Sequence, residues 1–273
     1  MTASIRASTT SRSENGPRWR QKLLFTRAGR TTVRLAAVAA ILLFWQLMPM
    51  DRSAKMWASD PAAIVATLWD WILDGSLWHH LGATLLVMSL GYVIGCAVGA
   101  ALGLVFGFFP FFYRILAPYI SAFYALPKIA LAPLFIILLG VGVESKVALV
   151  ALTVFFLVLN STIEGARNVD PDSVEGLILM GSTRSEIVAK VLLPASMPWI
   201  FTGMRIAVRY AFTNTLLAEL IAANSGLGYL IQYNSATFDS SGVYASILVL
   251  VVFSVTLTEI LTRLEKHLGA RHE

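Results

Sequence analysis

Three charged side chains interrupt a long apolar stretch between residues 196 and 223. Arg205, Arg209 and Glu219 lie at offsets 0, 4 and 14, which places them within a sector of about 80° on a helix that turns 100° per residue. Charges inside membrane helices usually face a protein interior or a water-filled route. The pattern predicts a solute pathway in which Arg205 and Arg209 attract an anion. Two structural alternatives stay open, namely snorkelling of Arg205 to the nearer membrane surface and a structural ion pair for Glu219.

Residues for covalent or metal chemistry are missing from the sequence. None of the motifs GxxxxGK[ST], GxSxG and HExxH occurs. His79 and His80 are neighbours and therefore point to different sides of a helix, which disfavours a metal site. Cys96, the single cysteine, lies in an apolar run and allows neither a disulfide nor a cysteine metal site. We therefore predict no catalytic residues, no metal and no cofactor bound by this chain.

Composition indicates a membrane protein that crosses the bilayer several times. Of the 273 residues, 57% are hydrophobic and only 14% are charged, well outside the range of soluble domains. Apolar stretches predict an all-α protein with six transmembrane helices. The segments are a basic tail 1–30, a first transmembrane helix 31–50, an interfacial segment 51–80, a core 81–264 with five transmembrane helices and a polar loop 164–194, and a tail 265–273.

Finer features are predicted inside the core. The third transmembrane helix, within 111–140, is expected to be kinked by its prolines, and 224–243 is expected to be an irregular polar turn. The second transmembrane helix carries a glycine at every fourth position. We call this set the glycine face: Gly91, Gly95, Gly99, Gly103 and Gly107. A face without side chains lets another helix approach closely in lipid, so it predicts tight helix packing and no chemistry.

The distribution of Lys and Arg predicts the orientation. Fifteen of them fall on the side of the termini and of the loop 164–194: Arg6, Arg12, Arg18, Arg20, Lys22, Arg27, Arg30, Arg34, Arg114, Arg167, Arg184, Lys190, Arg263, Lys266 and Arg271. Three fall on the other side: Arg52, Lys55 and Lys146. By the positive-inside rule, both termini and the loop lie in the cytoplasm and the segment 51–80 lies outside. The net charge of +5 therefore calls for no nucleic acid.

The stretch from Asp170 to Pro194 is a polar, helix-forming island between apolar segments. Asp170 followed by Pro171 predicts a helix start, and Gly181 predicts a left-handed helix end. Thr183 with Glu186 predicts a capping box that opens a second short helix, which Pro194 is expected to close. Two short helices joined at a glycine would form either a protrusion for a soluble partner or a plain connection.

This island resembles the cytoplasmic loop signature of bacterial ABC importer permeases, which reads Glu-Ala-Ala, three residues, Gly, nine residues, an aliphatic residue, one residue, Leu-Pro. Glu175, Gly181, Val191, Leu193 and Pro194 fit its spacing, whereas Gly176 and Leu177 replace the two alanines. Three further segments resemble the nitrate, sulfonate and taurine branch: ALPKIALAPL at 125–134, NVDPDSVEG at 168–176 and AELIAANSGLGYLI at 218–231.

The resemblance implies a type I ABC importer permease fold in a bacterial inner membrane. It implies as partners a second copy of this chain or a related permease, two cytoplasmic ATPase subunits that hold ATP and Mg, and an extracytoplasmic substrate-binding protein. Residues expected to couple to the ATPase are Glu175, Gly181, Ser182, Arg184, Leu193 and Pro194. The implied solute is a small oxyanion such as a sulfonate, taurine or nitrate, or else a pyrimidine precursor. A secondary carrier or channel that works without an ATPase is the alternative, although no inverted repeat is apparent.

Overall fold

The computed structural model describes residues 27–48 and 57–269. These residues form helices and connecting turns, without a β-strand among them. Predictions for 1–26, 49–56 and 270–273 fall outside the described residues. An all-helical chain agrees with the physics of the bilayer, because a helix satisfies its own backbone hydrogen bonds where water is absent.

Eleven α-helices are present in the described part of the chain. They are α1 (Arg27–Leu47), α2 (Pro61–Leu73), α3 (Ser76–Phe108), α4 (Pro110–Ala125), α5 (Ala132–Leu139), α6 (Val143–Arg167), α7 (Pro171–Leu179), α8 (Arg184–Ile187), α9 (Leu193–Ile221), α10 (Leu227–Ala236) and α11 (Ser240–Gly269). A 3₁₀ turn, Lys128–Leu131, precedes α5, and a π turn, Val188–Leu192, joins α8 to α9.

Four stretches within the described residues are long and apolar enough to cross a membrane: α3, α6, α8 through α9, and α11 up to Arg263. A fifth crossing results if α4 and the segment Lys128–Leu139 count as one broken span, since the two are bent by 88°. The expected proline kink is therefore close to a right angle. Helix α1 coincides with the predicted first transmembrane helix but is not among these candidates, so the count of six stays a prediction.

Two boundaries differ from those expected from the sequence. Helix α3 begins at Ser76, inside the predicted interfacial segment 51–80, and runs without a break into the second span. The segment 224–243 is not irregular, since it contains the ten-residue helix α10. The prediction of an irregular turn was wrong: Gly226, with a φ of 117°, precedes the helix, and Gly228 lies inside it.

Helix α6 lies at the centre of the bundle. Of the 18 consecutive residues of α6 that are most apolar, 56% are buried inside the chain, whereas the corresponding share is 11% for α11 at the periphery. The glycine face of α3 packs on it: a Cβ added at Gly91 would lie 2.6 Å from Val150 Cβ, and one added at Gly95 would lie 2.6 Å from Val154 Cβ. The two backbones therefore approach to a distance that only glycine permits, and α9 covers another side of α6.

Candidate functional site

The loop between α6 and α9, which we call the coupling loop (164–194), has a fixed local structure. Asp170 caps α7 by accepting hydrogen bonds from Asp172 N–H (3.2 Å) and from Ser173 Oγ (3.0 Å). Pro171 occupies the first helical position, where its missing N–H costs nothing. The predicted start of this helix is confirmed.

A left-handed residue at Gly181 ends α7, with φ of 77°. The Gly181 N–H donates to Ile178 O and the Ser182 N–H donates to Leu177 O, both at 3.0 Å. This pair of bonds is the Schellman arrangement, which satisfies carbonyls at a helix end. The predicted role of Gly181 in the backbone is confirmed, and the space around its α-carbon is open.

The second half of the loop leads directly into α9. Thr183 and Glu186 form the predicted capping box, with Thr183 N–H donating to Glu186 Oε2 at 2.8 Å and Glu186 N–H donating to Thr183 Oγ1 at 3.4 Å. Pro194 does not close this helix, so the prediction of a helix end at this residue was wrong. A π turn widens the helix over Val188–Leu192, so the proline falls where the hydrogen-bond register changes, and the helix continues.

The residues expected to couple to an ATPase lie on the surface of the loop. Glu175, Arg184, Leu193 and Pro194 are exposed, and Ser182 is half-buried. The sequence reasoning missed the tip of the loop, where Leu179 and Met180 expose 88% and 82% of their surface. Two apolar side chains within a polar protrusion are a sequence signal that could have identified the tip, because large exposed apolar groups often mark a protein contact.

An open groove separates the coupling loop from the turn between α3 and α4. Its volume is about 500 Å³. The lining is mostly apolar and contains Gly107, Phe108, Phe109, Pro110, Phe111, Phe112, Ala166, Val169, Val174, Arg184, Ile187 and Leu192. The loop is thus attached to the bundle through α6 and α9 and is not packed flat against α3 and α4.

The charged residues of α9 do not share one environment. Arg205 and Arg209 are exposed on the surface of the chain, whereas Glu219 is buried, together with Phe212 and Leu216. The prediction from the 100° periodicity assumed that α9 has the same surroundings along its whole length. In the structure Phe212 and Leu216 join the main apolar cluster, which contains Leu227 and Leu230 of α10, and this cluster covers the later half of α9.

Glu219 forms a hydrogen-bonded centre with only 1% of its surface exposed. It accepts hydrogen bonds from Thr84 Oγ1 at 2.9 Å and from Gly228 N–H at 2.9 Å. Thr84 Oγ1 in turn accepts from Leu227 N–H at 2.8 Å, and His80 Nδ1 accepts from Gly226 N–H at 3.1 Å. Side chains of α3 and α9 therefore cap the first turn of α10.

Lys146, which the charge count assigned to the outer side, is also buried, with 6% of its surface exposed. It lies in the first turn of α6 and is close enough to Glu219 for charge attraction between them. No group of three or more His, Cys, Asp and Glu that could hold a metal occurs among the described residues. The buried charges therefore form a structural set that joins α3, α6, α9 and α10.

Comparison with known proteins decides what this helical bundle is. Residues 91–271 match the family described as binding-protein-dependent transport system inner membrane component. The chain belongs to this family. The match includes the glycine face, the coupling loop and α9, and it confirms the resemblance seen in the sequence.

Curated relatives of the permease are themselves transport permeases. The taurine transport permease TauC of Escherichia coli K12 is 27% identical over 93% of this chain and 94% of its own length. The putative aliphatic sulfonates permease SsuC of Bacillus subtilis is 30% identical over 84% of each chain. The formylaminopyrimidine permease ThiX of Halalkalibacterium halodurans is 29% identical over 79% of this chain and 86% of its own length.

The solved structures similar to the permease share its fold. A chain of the inward-facing MetNI methionine ABC transporter has a TM-score of 0.56 and 21% identity, covering 72% of the permease and 96% of that chain. The type I importer fold expected from the sequence is confirmed. The permease is thus an inner-membrane transport component of an ABC importer and not an enzyme.

Proposed function

We propose that the permease imports a small oxyanion of the sulfonate, taurine or nitrate class. The observation that carries this is the pair Arg205 and Arg209, two cations exposed on the middle of the membrane-crossing helix α9. Charge at such a position is costly unless it faces protein or water. The names of two relatives, a taurine permease and a sulfonate permease, support the same solute class.

A complete transporter tests this solute class. The permease is reconstituted in liposomes with its cognate ATPase and binding protein, and uptake of taurine, ethanesulfonate and nitrate is measured. Arg→Gln at position 205 or 209 should lower the uptake rate at least about tenfold, since a charge-assisted contact contributes roughly 1.5–3 kcal/mol. Arg→Lys should lose less. Equal uptake by all variants would assign these arginines to the membrane surface.

A pyrimidine precursor is the second candidate solute. It is favoured by the 29% identity to a formylaminopyrimidine permease. The same liposomes separate the two candidates, because a pyrimidine importer accumulates formylaminopyrimidine and leaves taurine, ethanesulfonate and nitrate outside.

The proposed assembly contains two copies of the permease, two ATPase subunits below the membrane and a binding protein above it. The coupling loop is proposed to enter a cleft of the ATPase, with Glu175 as a charged handle and the apolar tip at Leu179 and Met180 as the buried contact. Its capped helices support this role, because the loop enters α9 from Arg184 onward as one continuous helical path. Uptake that persists without the ATPase would instead indicate a secondary carrier.

A matched pair of glycines tests the coupling role. Gly181→Val forces a branched side chain into a left-handed residue at a cost of order 1–2 kcal/mol, while Gly176→Ala adds a methyl group in open space on a helix. We expect Gly181→Val and Glu175→Lys to insert normally but to lose ATPase co-purification or solute-stimulated hydrolysis. Gly176→Ala should retain both. Normal behaviour of Gly181→Val and Glu175→Lys in both assays would exclude the loop from coupling.

A further inference from the structure

A lysine lies at the break in the bent segment. Lys128 begins the 3₁₀ turn that follows α4, where the chain turns by 88°. Its ammonium lies 5.0 Å from the ring centroid of Tyr124 and 5.5 Å from that of Phe156, and it donates a hydrogen bond to Tyr124 O. Two aromatic faces and a carbonyl thus hold this cation in place.

Contact with Phe156 gives the depth of Lys128 in the bundle. Phe156 is 13 residues from the start of α6 and 11 residues from its end. At ~1.5 Å per residue these distances are about 20 Å and about 17 Å. The ammonium therefore lies near the middle of a helix long enough to cross the membrane.

The two arginines of α9 lie at the same depth. An added Cβ at Gly165 would meet Trp199 Cβ at 2.6 Å, and one at Gly203 would meet Ser161 Cβ at 2.6 Å. These pairs fix an antiparallel register, in which each advance of four residues along α9 corresponds to a retreat of four along α6. Continued by six residues beyond Gly203, it places Arg205 level with residue 159 and Arg209 level with residue 155, on either side of Phe156.

The membrane-crossing helices carry few acidic residues. Asp and Glu are absent from residues 76–143, 145–163, 195–218 and 240–258, and the acidic residues beside these stretches stand near helix ends, apart from Glu259 in the later half of α11. Three cations at one depth of the membrane give this layer a positive potential, which a low-dielectric surrounding strengthens. An anion that enters the layer is stabilised by that potential.

We propose that Lys128 binds the anionic group of the transported solute midway across the membrane, acting with Arg205 and Arg209. The inference rests on the oxyanion function proposed above. An ammonium has three donors, and Tyr124 O takes one of them. The adjacent Leu126 and Pro127 are exposed, and irregular backbone at membrane depth is tolerated where protein or a water-filled route covers it.

A purely structural role makes a different prediction for the same residue. Tyr124 O belongs to the last turn of α4, where carbonyls have no partner within the helix. If Lys128 only caps this carbonyl, then Lys128→Gln, which keeps a donor, should behave like the wild type, and only Lys128→Met should fail. If the charge itself binds solute, Gln and Met should fail alike and Arg should retain most activity.

The experiment uses the whole transporter in liposomes, with ethanesulfonate as the probe and saturating binding protein. We expect Lys128→Gln and Lys128→Met to lower the uptake rate at least about tenfold, and Lys128→Arg by less than about threefold. ATPase co-purification and basal hydrolysis should stay normal. Arg263→Gln, which removes an exposed cation paired with Glu259, serves as the control and should transport normally. Wild-type uptake by Lys128→Gln would overturn the inference.

Accessibility provides an independent readout. The chain has one cysteine, so Cys96→Ser yields a background in which Lys128→Cys is the single thiol. A sulfonate-bearing thiol reagent should modify it. A thiol that never reacts would overturn the inference. If wild-type permease takes up no oxyanion at all, the proposed function fails, whereas failure of the Lys128 inference leaves wild-type uptake intact.

Discussion

Glu219 is the residue at which four helices of the bundle meet, namely α3, α6, α9 and α10. The first N–H groups of a helix lack partners within that helix, and α10 obtains them from side chains of α3 and α9. A carboxylate buried to this degree is tolerated only when it is hydrogen-bonded and close to an opposite charge, here Thr84, Gly228 N–H and nearby Lys146. Glu219 therefore fixes where α10 stands relative to the spans.

Removing this side chain should lower the stability of the permease. Glu219→Ala leaves Gly228 N–H and Thr84 Oγ1 without their acceptor in a buried place, at a cost of about 1–3 kcal/mol for each unsatisfied group. Glu219→Gln keeps one acceptor oxygen and should lose less. The midpoint of thermal unfolding in detergent measures both, and Glu259→Ala, which breaks only an exposed ion pair, is the control. A midpoint for Glu219→Ala equal to that of the control would contradict the capping role.

At the scale of elements, the α3–α6 contact sets the spacing of the bundle. The glycine face lets side chains of α6 rest on the backbone of α3, for example Thr162 Cβ at 2.5 Å from a Cβ added at Gly103. In lipid these close contacts supply dispersion energy between the two helices. Apolar side chains elsewhere on the helices gain as much dispersion energy from lipid tails as from another helix. Close approach is thus the source of specificity between these two helices.

Gly99→Leu or Gly95→Leu should disrupt folding or assembly. At Gly99 an added Cβ would lie 2.7 Å from Phe155 O, a backbone atom that cannot move aside alone. The same helix offers a matched control in Gly82, which has open space around it, so Gly82→Leu should fold and assemble normally. The yield of monodisperse permease after gel filtration measures the effect. Equal yields for the three variants would show that the close approach is dispensable.

Short-range signals in the sequence predicted the local structure well. Asp170, Gly181 and the Thr183–Glu186 box act on residues within three or four positions, so their effect is readable from spacing alone. The cap of α10 was not predictable in this way, because Thr84 and Glu219 are 135 residues apart. The predicted helix end at Pro194 was wrong for a related reason. The π turn before the proline changes the hydrogen-bond register so that the helix continues, and no residue type in the sequence signals such a turn.

At the scale of the whole molecule, a large part of the apolar helix surface is not covered by this chain. Large apolar side chains are exposed along α3, α4, α9 and α11, in the quantity expected of a surface that meets lipid or another permease. The coupling loop and the turn between α3 and α4 lie at one end of α6, and the turns α5–α6 and α9–α10 lie at the other. Charge asymmetry between these ends is what should orient the permease in the membrane.

Reporter fusions at the turns test that orientation. The end with Arg114, Arg167, Arg184 and Lys190 should face the cytoplasm, because positively charged loops are retained there during insertion. Alkaline phosphatase fused after residue 142 or 225 should therefore be active outside, and the same enzyme fused after residue 109 or 181 should be silent. These sites avoid helix interiors, so each fusion leaves the preceding spans intact. A cytoplasmic reporter at the four positions should give the opposite pattern. With about 44 Å of helix against a hydrocarbon core of about 30 Å, α9 is long enough for a complete crossing between residues 181 and 225, so an inverted signal at either position would contradict the orientation.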